Sequence, residues 1–586
     1  MATDLISVRV ATAESIKSPS GKNNSERSFD EYTSDHSEGK ELLLIVPPQR
    51  DIFNYINPAF REANPTPTDQ PIGIISISSF VREYTSCNVR LIDLNSVAVR
   101  HQREKSFKYS TFDELVKEKL ADSSSNDNEP DFIGISVLFT PSYDNALAIA
   151  NTCRKAYPKA FIFAGGFVPT TMYEHILTHN PLVFDALCFG EGEIPIAELV
   201  KSEDPRNLIK KHPSWITKEK FLRKEEFNHS MVENLDDIPL YDYDLLDLDD
   251  YRIAPHAKNG SYLVMDQKED IFHIHTTRGC PMKCNFCASF TVHGRSMRFH
   301  SLERVREELV RIKEVYKGTK IAIQDDHFMG DQNRAMEILK IIKELGFEVT
   351  FQNGVAIYAL SREMLEAIKA AGISEVVLPV ESGSERVLKQ IMHKPLNHKI
   401  IRRVAKDCLE IGLDTPANLL VGLVGETKKD VEDGLRFLRT VDGITWFRVN
   451  IATPLAGSEL FEQAIEGNHF SSSHKWGTIY KEATINTEEM SAKYIQRKAY
   501  EINLDLNFVH NSTLRIGQNK RALSRFESII RLVPDHAFAY RYAAISARKA
   551  GMTDLYSNYK SKYIEIVEAE PEWNEWHEHF NLSKKI

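Results

Sequence analysis

The stretch RGCPMKCNFC, residues 278–287, holds three of the chain's seven cysteines, Cys280, Cys284 and Cys287. At this cysteine frequency, chance places such a triplet in about one chain in a thousand. Thiolates this close on one loop suit a soft metal or an iron–sulfur cluster. A structural zinc site wants four protein ligands, and the fourth would have to come from His275, His293 or a distant cysteine. A [4Fe–4S] cluster held by three cysteines leaves one iron open to a small molecule, so the missing ligand is itself a functional signal. Cys87, Cys153, Cys188 and Cys408 lack metal spacing and read as small buried side chains.

The elements around the triplet decide what it can do. It follows the apolar run IFHIHT, so it lies on the loop after a strand. Further runs at KIAIQDDHF, EVTFQNGV, EVVLPVES, TPANLLVGLVGE and WFRVNIATP alternate with helices such as SLERVREELVRIKEVY. Six strand–helix units predict a partial (β/α)6 barrel of TIM type over 266–465, with the polar residues at the strands' C-terminal ends as its site. Upstream, ELLLIV, NVRLIDL, DFIGISVLF, AFIFAGG and FDALCFGEGE alternate with helices over 40–201. Runs this continuously apolar belong to parallel strands covered on both faces, which predicts an α/β, doubly wound, Rossmann-like domain. Ligands bind at the edge where its strands end, here marked by Gly165, Gly166, Gly190 and Gly192.

The remaining segments differ in composition. Residues 1–39 are polar and predict a disordered tail. Residues 202–265 are charged and read as an acidic, solvated linker. Residues 466–586 are helical, and ALSRFESIIRLVPDHAFAYRYAAISARKAG has the spacing of a tetratricopeptide-like (TPR-like) helix pair, with a degenerate second at 553–572. The segment 466–510 is expected to close over the substrate. Across 586 residues the net charge is −10 and no Lys/Arg block forms a polyanion track, which speaks against nucleic acid as substrate. No apolar run reaches the ~20 residues of a membrane span. The N-terminus lacks a secretory pattern and the cysteines are few and odd in number, so a cytoplasmic location is expected.

RGCPMKCNFC after the first barrel strand resembles the signature of radical S-adenosylmethionine (SAM) enzymes. DDHF, VESGS, LVGLVGET and TPLAGSELFE follow in the order that family shows. PPQ, PIGII, AGGFVPT and FGEGE resemble the cobalamin-binding domain that precedes the barrel in one large subgroup. The likeness covers about 40–465. It implies a [4Fe–4S] cluster on Cys280, Cys284 and Cys287, with SAM on the open iron. One-electron cleavage would give methionine and a 5′-deoxyadenosyl radical, which takes hydrogen from an unreactive carbon. It also implies a SAM site made of Phe286 at the adenine, Asp325 or Asp326 at the ammonium group, Glu381 and Ser382 at the ribose or methionine part, and Gly422, Gly425 and Glu426 at the fifth strand end. For cobalamin it implies Pro71, Gly73, Asn95, Gly165, Gly166, Gly190 and Glu191. Asn95 stands where related folds place a cobalt-ligating histidine, so no imidazole is expected on cobalt from DLNSVA.

The implied activity is cobalamin-dependent modification of an unactivated carbon in a small-molecule or lipid substrate, with C-methylation the commonest outcome and cyclisation or ring rearrangement the alternative. A flavodoxin or ferredoxin would supply the electron. Two rivals stay open. A methylthiotransferase would need a second upstream cysteine set, and Cys87, Cys153 and Cys188 are scattered. A non-catalytic scaffold would use the cysteines for a structural metal and the helical C-terminus for a partner. Each assigned residue has a bland competitor: Phe286 as core, the Asp pair as helix caps, Glu381 as a cap, and His273 and His275 as satisfied core histidines.

Overall fold

A computed structural model describes residues 35–49, 68–104, 106, 108–123, 129–251, 271–471, 482–583 and 586. Most of the expected disordered tail (1–34) lies outside the described residues, as do 252–270 and 472–481. The chain divides into two units. One comprises 1–254, 267–353 and 454–479, and the other 255–266, 354–453 and 480–586.

The first unit opens with a six-stranded sheet in the order β2-β1-β3-β4-β5-β6. Its strands are β1 Glu41–Val46, β2 Asn88–Asp93, β3 Phe132–Ser136, β4 Phe161–Gly165, β5 Ala186–Cys188 and β6 Trp215–Ile216. The first five are parallel and β6 is antiparallel. On β1, Leu43 and Ile45 pack under helices α3 (Phe112–Ser123) and α4 (Tyr143–Ala156). Leu42 and Leu44 pack on the other face under α1 (Ile72–Tyr84) and α6 (Glu193–Lys201). Two covered faces explain why these strands carry no polar alternation. Helices α2 (Leu94–Glu104) and α5 (Phe167–Thr171) start where β2 and β4 end.

The expected solvated linker is corrected here. Residues 202–251 supply β6 and the helices Pro205–Lys211 and Lys218–Leu222. Trp215, Tyr241 and Tyr243 are 0–1 % exposed, and Val232, Leu235 and Ile238 join the second core of the sheet. The acidic composition hides a regular set of apolar and aromatic anchors between the carboxylates.

The six expected barrel strands are all present and are hydrogen-bonded as two three-stranded parallel sheets, one in each unit. The first unit holds β7 (Ile271–Ile274), β10 (Lys320–Ile323) and β11 (Glu348–Phe351), ordered β11-β10-β7. A two-stranded antiparallel ribbon, β8 (Thr277–Arg278) with β9 (Arg298–Phe299), brackets the cysteine loop and its short helix α7 (Phe290–His293). Helices α8 (Leu302–Glu314) and α9 (Gln332–Leu345) follow. The α9 helix starts on an Asp331 cap and stops at Gly346 in the left-handed region.

The second unit holds β12 (Leu378–Glu381), β13 (Pro416–Val421) and β14 (Trp446–Ile451) in that order, with helices α10 (Arg362–Ala370), α11 (His398–Ile411) and α12 (Lys428–Leu438). Thr427 and Asp430 form a reciprocal capping box at the start of α12. Helix α13 (Glu459–Glu466) belongs to the first unit. The second unit ends with α14 (Ala492–Leu504), α15 (Asn519–Leu532), α16 (Ala537–Lys549), α17 (Thr553–Ala569) and α18 (Glu572–His579). Phe526, Phe538, Tyr542, Tyr563 and Trp573 share one core, so the TPR-like pair buries its face against its successors.

Candidate functional site

The ribbon β8–β9 sets the cysteine loop. Gly279, at φ +88°, turns the chain out of β8, and a Cβ there would lie 2.2 Å from the Ser296 carbonyl oxygen. Only glycine fits this turn. The Cys280 N–H donates to the Gly294 carbonyl at 3.3 Å and the Cys287 N–H to the Cys284 carbonyl at 3.1 Å, which folds the loop back on itself. The three thiols are partly exposed and unbridged, whereas Cys87, Cys153, Cys188 and Cys408 are buried. Burial pushes the Cys280 thiol up to about 12, and the neighbouring Cys287, Asp326 and Cys284 add to the rise. Any metal bound there must displace that proton, because the thiolate is the ligand.

Polar atoms around the loop fit a missing partner. Asn285, between Cys284 and Phe286, is buried, yet neither its Oδ1 nor its Nδ2 has a partner among the described residues. Its backbone carbonyl is held by the Leu460 N–H at 2.8 Å, which fixes the residue. Thr277 Oγ1 and His275 Nδ1 are likewise buried and unpartnered. Among the described residues, no group of three His, Cys, Asp or Glu side chains is placed to hold a single metal ion. The donor set of three thiols with orphaned polar neighbours fits a cluster better than a zinc ion, which would need four ligands.

The predicted SAM residues fall in both units. In the first, Phe286 is half-buried, not a core residue. The Asp pair divides its labour. Asp325 is buried and accepts from Thr276 N and Oγ1, both at 2.6 Å; burial raises its carboxyl to about 6 against these bonds. It holds the β7 end in place. Asp326 is partly exposed, and its charge adds to the rise of the Cys280 thiol. His273 is satisfied, as expected, by Gln324 at 2.6 Å, whereas the unpartnered His275 is not.

In the second unit, Glu381, Ser382, Gly383 and Glu426 line one cavity with Leu419 and Val449. Glu381 sits at φ +64°, where the register of β12 against β13 breaks. Its carboxylate meets Lys394 Nζ at 3.4 Å, and the same ammonium donates to the Pro379 carbonyl at 2.9 Å. A non-glycine residue held there stores strain of a kind concentrated at functional sites. Glu426 is buried and accepts from the Gly422 and Leu423 N–H groups at 2.7 and 3.3 Å; burial raises its carboxyl to about 7. Gly422 lies under α14, where a Cβ would come within 2.7 Å of Ile495. Gly425 accepts through its carbonyl from Arg386 at 2.8 Å.

The predicted cobalamin residues gather at the strand ends of the six-stranded sheet. Gly166, at φ +105°, follows β4 and opens α5; a Cβ there would lie 3.0 Å from the Val137 carbonyl oxygen. Gly165 closes β4, and Gly190 follows β5 at φ +77°. Pro71 caps α1, and Gly73 lies exposed in its first turn. Asn95 is buried at the start of α2 and accepts from the Gln49 N–H at 3.0 Å, so it ties the PPQ loop down. Glu191, expected at cobalamin, sits beside this edge in a buried ion cluster. Its carboxylate is 2 % exposed and is gripped by Arg278 at 3.2 Å, by both Arg298 Nη atoms at 3.0 and 2.5 Å, and by His293 Nδ1 at 2.8 Å. These partners hold its carboxyl well below the usual range despite burial. Arg278, Arg298, Asn285 and Lys394 are site residues that sequence reasoning did not single out, and His293, weighed there as a metal ligand, instead meets Glu191. The one available signal was the arginine inside RGC.

Comparison with known proteins decides the family. Residues 67–200 match the B12 binding domain and residues 274–438 the radical SAM superfamily. The chain belongs to the radical SAM proteins that carry a B12-binding domain. Members of this family take a [4Fe–4S] cluster, SAM and cobalamin, and the two matched segments are those that carry the cysteine loop and the glycine-lined sheet. An uncharacterized methyltransferase of Pyrococcus horikoshii is 28 % identical over 428 residues, 73 % of this chain and 84 % of its own. The cytidylyl-2-hydroxyethylphosphonate methyltransferase of Streptomyces wedmorensis is 23 % identical over 80 % of this chain and 90 % of its own. In fold, the chain is similar to the cobalamin-dependent radical enzyme OxsB with aqua-cobalamin and SAM bound. The TM-score is 0.57 at 14 % identity, over 91 % of this chain and 81 % of the other. The radical SAM methyltransferase TsrM of Kitasatospora setae gives a TM-score of 0.53 at 15 % identity, over 78 % and 83 % of the two chains. No helix among the described residues is long and apolar enough to cross a membrane.

Proposed function

We propose that this radical SAM enzyme methylates an unactivated carbon of a small molecule or lipid, using cobalamin as the methyl carrier. The observation that carries the reading is the placement, within one unit, of a three-thiol loop and a Rossmann-like sheet whose glycine-lined edge is linked to it through Glu191 and Arg278. Cys280, Cys284 and Cys287 would hold the cluster, and the cluster bound there supplies the electron that cleaves SAM. Phe286, inside the loop, and Asp325 or Asp326, after β10, would meet SAM from the first unit. Glu381, Ser382, Gly422, Gly425 and Glu426, in the second unit, are the other residues that the family resemblance assigns to SAM. Gly165, Gly166 and Gly190 give backbone access at the sheet edge, with Pro71, Gly73 and Asn95 beside them, and no imidazole comes from DLNSVA. The protein's own work is to orient the reacting groups and keep water and oxygen out. The relatives' methyl-transfer names support the reaction type. A flavodoxin or ferredoxin in the cytoplasm is the electron donor.

The test is anaerobic reconstitution with iron, sulfide and cobalamin, followed by incubation of a metabolite extract with SAM labelled in its methyl group. Labelled carbon in a product, with 5′-deoxyadenosine released, supports methyl transfer. Deoxyadenosine with a new unlabelled product would favour cyclisation or rearrangement instead.

A further inference from the structure

Glu191 is the centre of a buried ion cluster that joins the end of β5 to the ribbon around the cysteine loop. Arg278 Nη2 reaches Glu193 Oε1 at 2.7 Å and Ser76 Oγ at 3.0 Å, and Ser76 donates to Glu193 at 2.6 Å. Arg298 Nη1 also donates to the Val232 carbonyl at 2.7 Å. Two guanidinium groups face two carboxylates, so their formal charges balance, as pairing of buried charges requires. Arg278 lies on β8, Arg298 on β9 and His293 at the end of α7. One carboxylate therefore holds both strands that bracket the cysteine loop and the helix inside it.

The other side of Glu191 leads to the sheet edge. Its neighbour Gly190 donates its N–H to Thr170 Oγ1 at 3.0 Å. Thr170 lies on α5, which begins at Gly166. Gly190 has no slack: a Cβ there would lie 2.3 Å from His229 Nδ1. Gly457 closes a second seam, because a Cβ there would come within 2.9 Å of both Thr171 on α5 and Thr291 on α7. A group seated on Gly165, Gly166 and Gly190 thus presses on backbone bonded directly to the residue that sets the cysteine loop.

We propose that Glu191 is a positioning residue that couples occupancy of the glycine-lined sheet edge to the set of the cysteine loop, through Arg278 and Arg298. The proposal rests on the cobalamin reading above. Such coupling orders the loop further when the second cofactor is seated.

The test uses hydrogen–deuterium exchange over 277–299 in the full-length, cluster-reconstituted protein, with and without hydroxocobalamin. In the native chain, bound cobalamin should slow exchange in this segment about threefold. In Glu191→Gln, compared at a hydroxocobalamin concentration that saturates the variant by absorbance, the slowing should vanish. A purely structural role would speed exchange in the variant equally in both states and leave the cobalamin dependence intact; that result overturns the proposal. So does bound cobalamin without any slowing in the native chain, with the cobalamin reading left standing. A native chain that takes up no cobalamin overturns the reading and the proposal together. If Glu191→Gln does not fold, Arg298→Lys keeps the charge but loses the two-pronged grip, and native-like slowing in that variant overturns the proposal.

Discussion

At the scale of single residues, spacing and environment carry different information. The cysteine triplet was legible in the sequence because three thiols within eight positions have few structural explanations. Glu191 was legible as a cobalamin-site candidate in FGEGE but not as an ion-pair centre; its arginine partners lie 87 and 107 residues away, beyond any local pattern. The Asp pair was legible as a pair, but only the fold shows Asp325 buried and spent on Thr276 while Asp326 stays partly exposed. Glu426 offers a residue-level test. Its folded carboxyl is raised to about 7, so the folded state keeps a proton that the unfolded state releases near 4.5. Its contribution is complete below about 4.5 and is lost as pH rises through about 7, on the order of 3 kcal/mol across that window. Glu426→Gln removes this loss. Denaturant unfolding should show the variant gaining on the native protein from pH 5 to pH 8; a gap that does not change with pH would contradict the burial argument.

At the scale of elements, the strands of both α/β patterns were readable from their apolar runs, since strands covered on both faces have no polar alternation to obscure them. The ribbon β8–β9 was not readable, because each strand has two residues and its pairing spans the cysteine loop. Gly279→Ala tests that ribbon. The added Cβ meets Ser296 at 2.2 Å in a left-handed turn, and the strain should cost about 2 kcal/mol. Iron bound per chain after reconstitution should fall; full iron loading would show that the turn tolerates a side chain. The segment 202–251 was misread because composition averages out its aromatic anchors. Trp215, wholly buried on β6, makes the correction measurable. Trp215→Ala should destabilise by about 3–5 kcal/mol, whereas a solvated linker would lose almost nothing.

At the scale of the whole molecule, the domain order was legible because each domain has its own periodicity: short buried strands with helices, then longer strand–helix units, then helices alone. The identity of the substrate has no such signature, since specificity sits in a few side chains facing a cavity. The account stands on the cluster. Its most direct test is to reconstitute the protein anaerobically with iron and sulfide, reduce it, and measure metal content and 5′-deoxyadenosine from SAM, beside Cys280→Ala, Cys284→Ala and Cys287→Ala. The account predicts about four irons and four sulfides per chain, deoxyadenosine from the native protein, and none from any of the three variants. A single zinc per chain, or deoxyadenosine formation that survives loss of one of these cysteines, would contradict it.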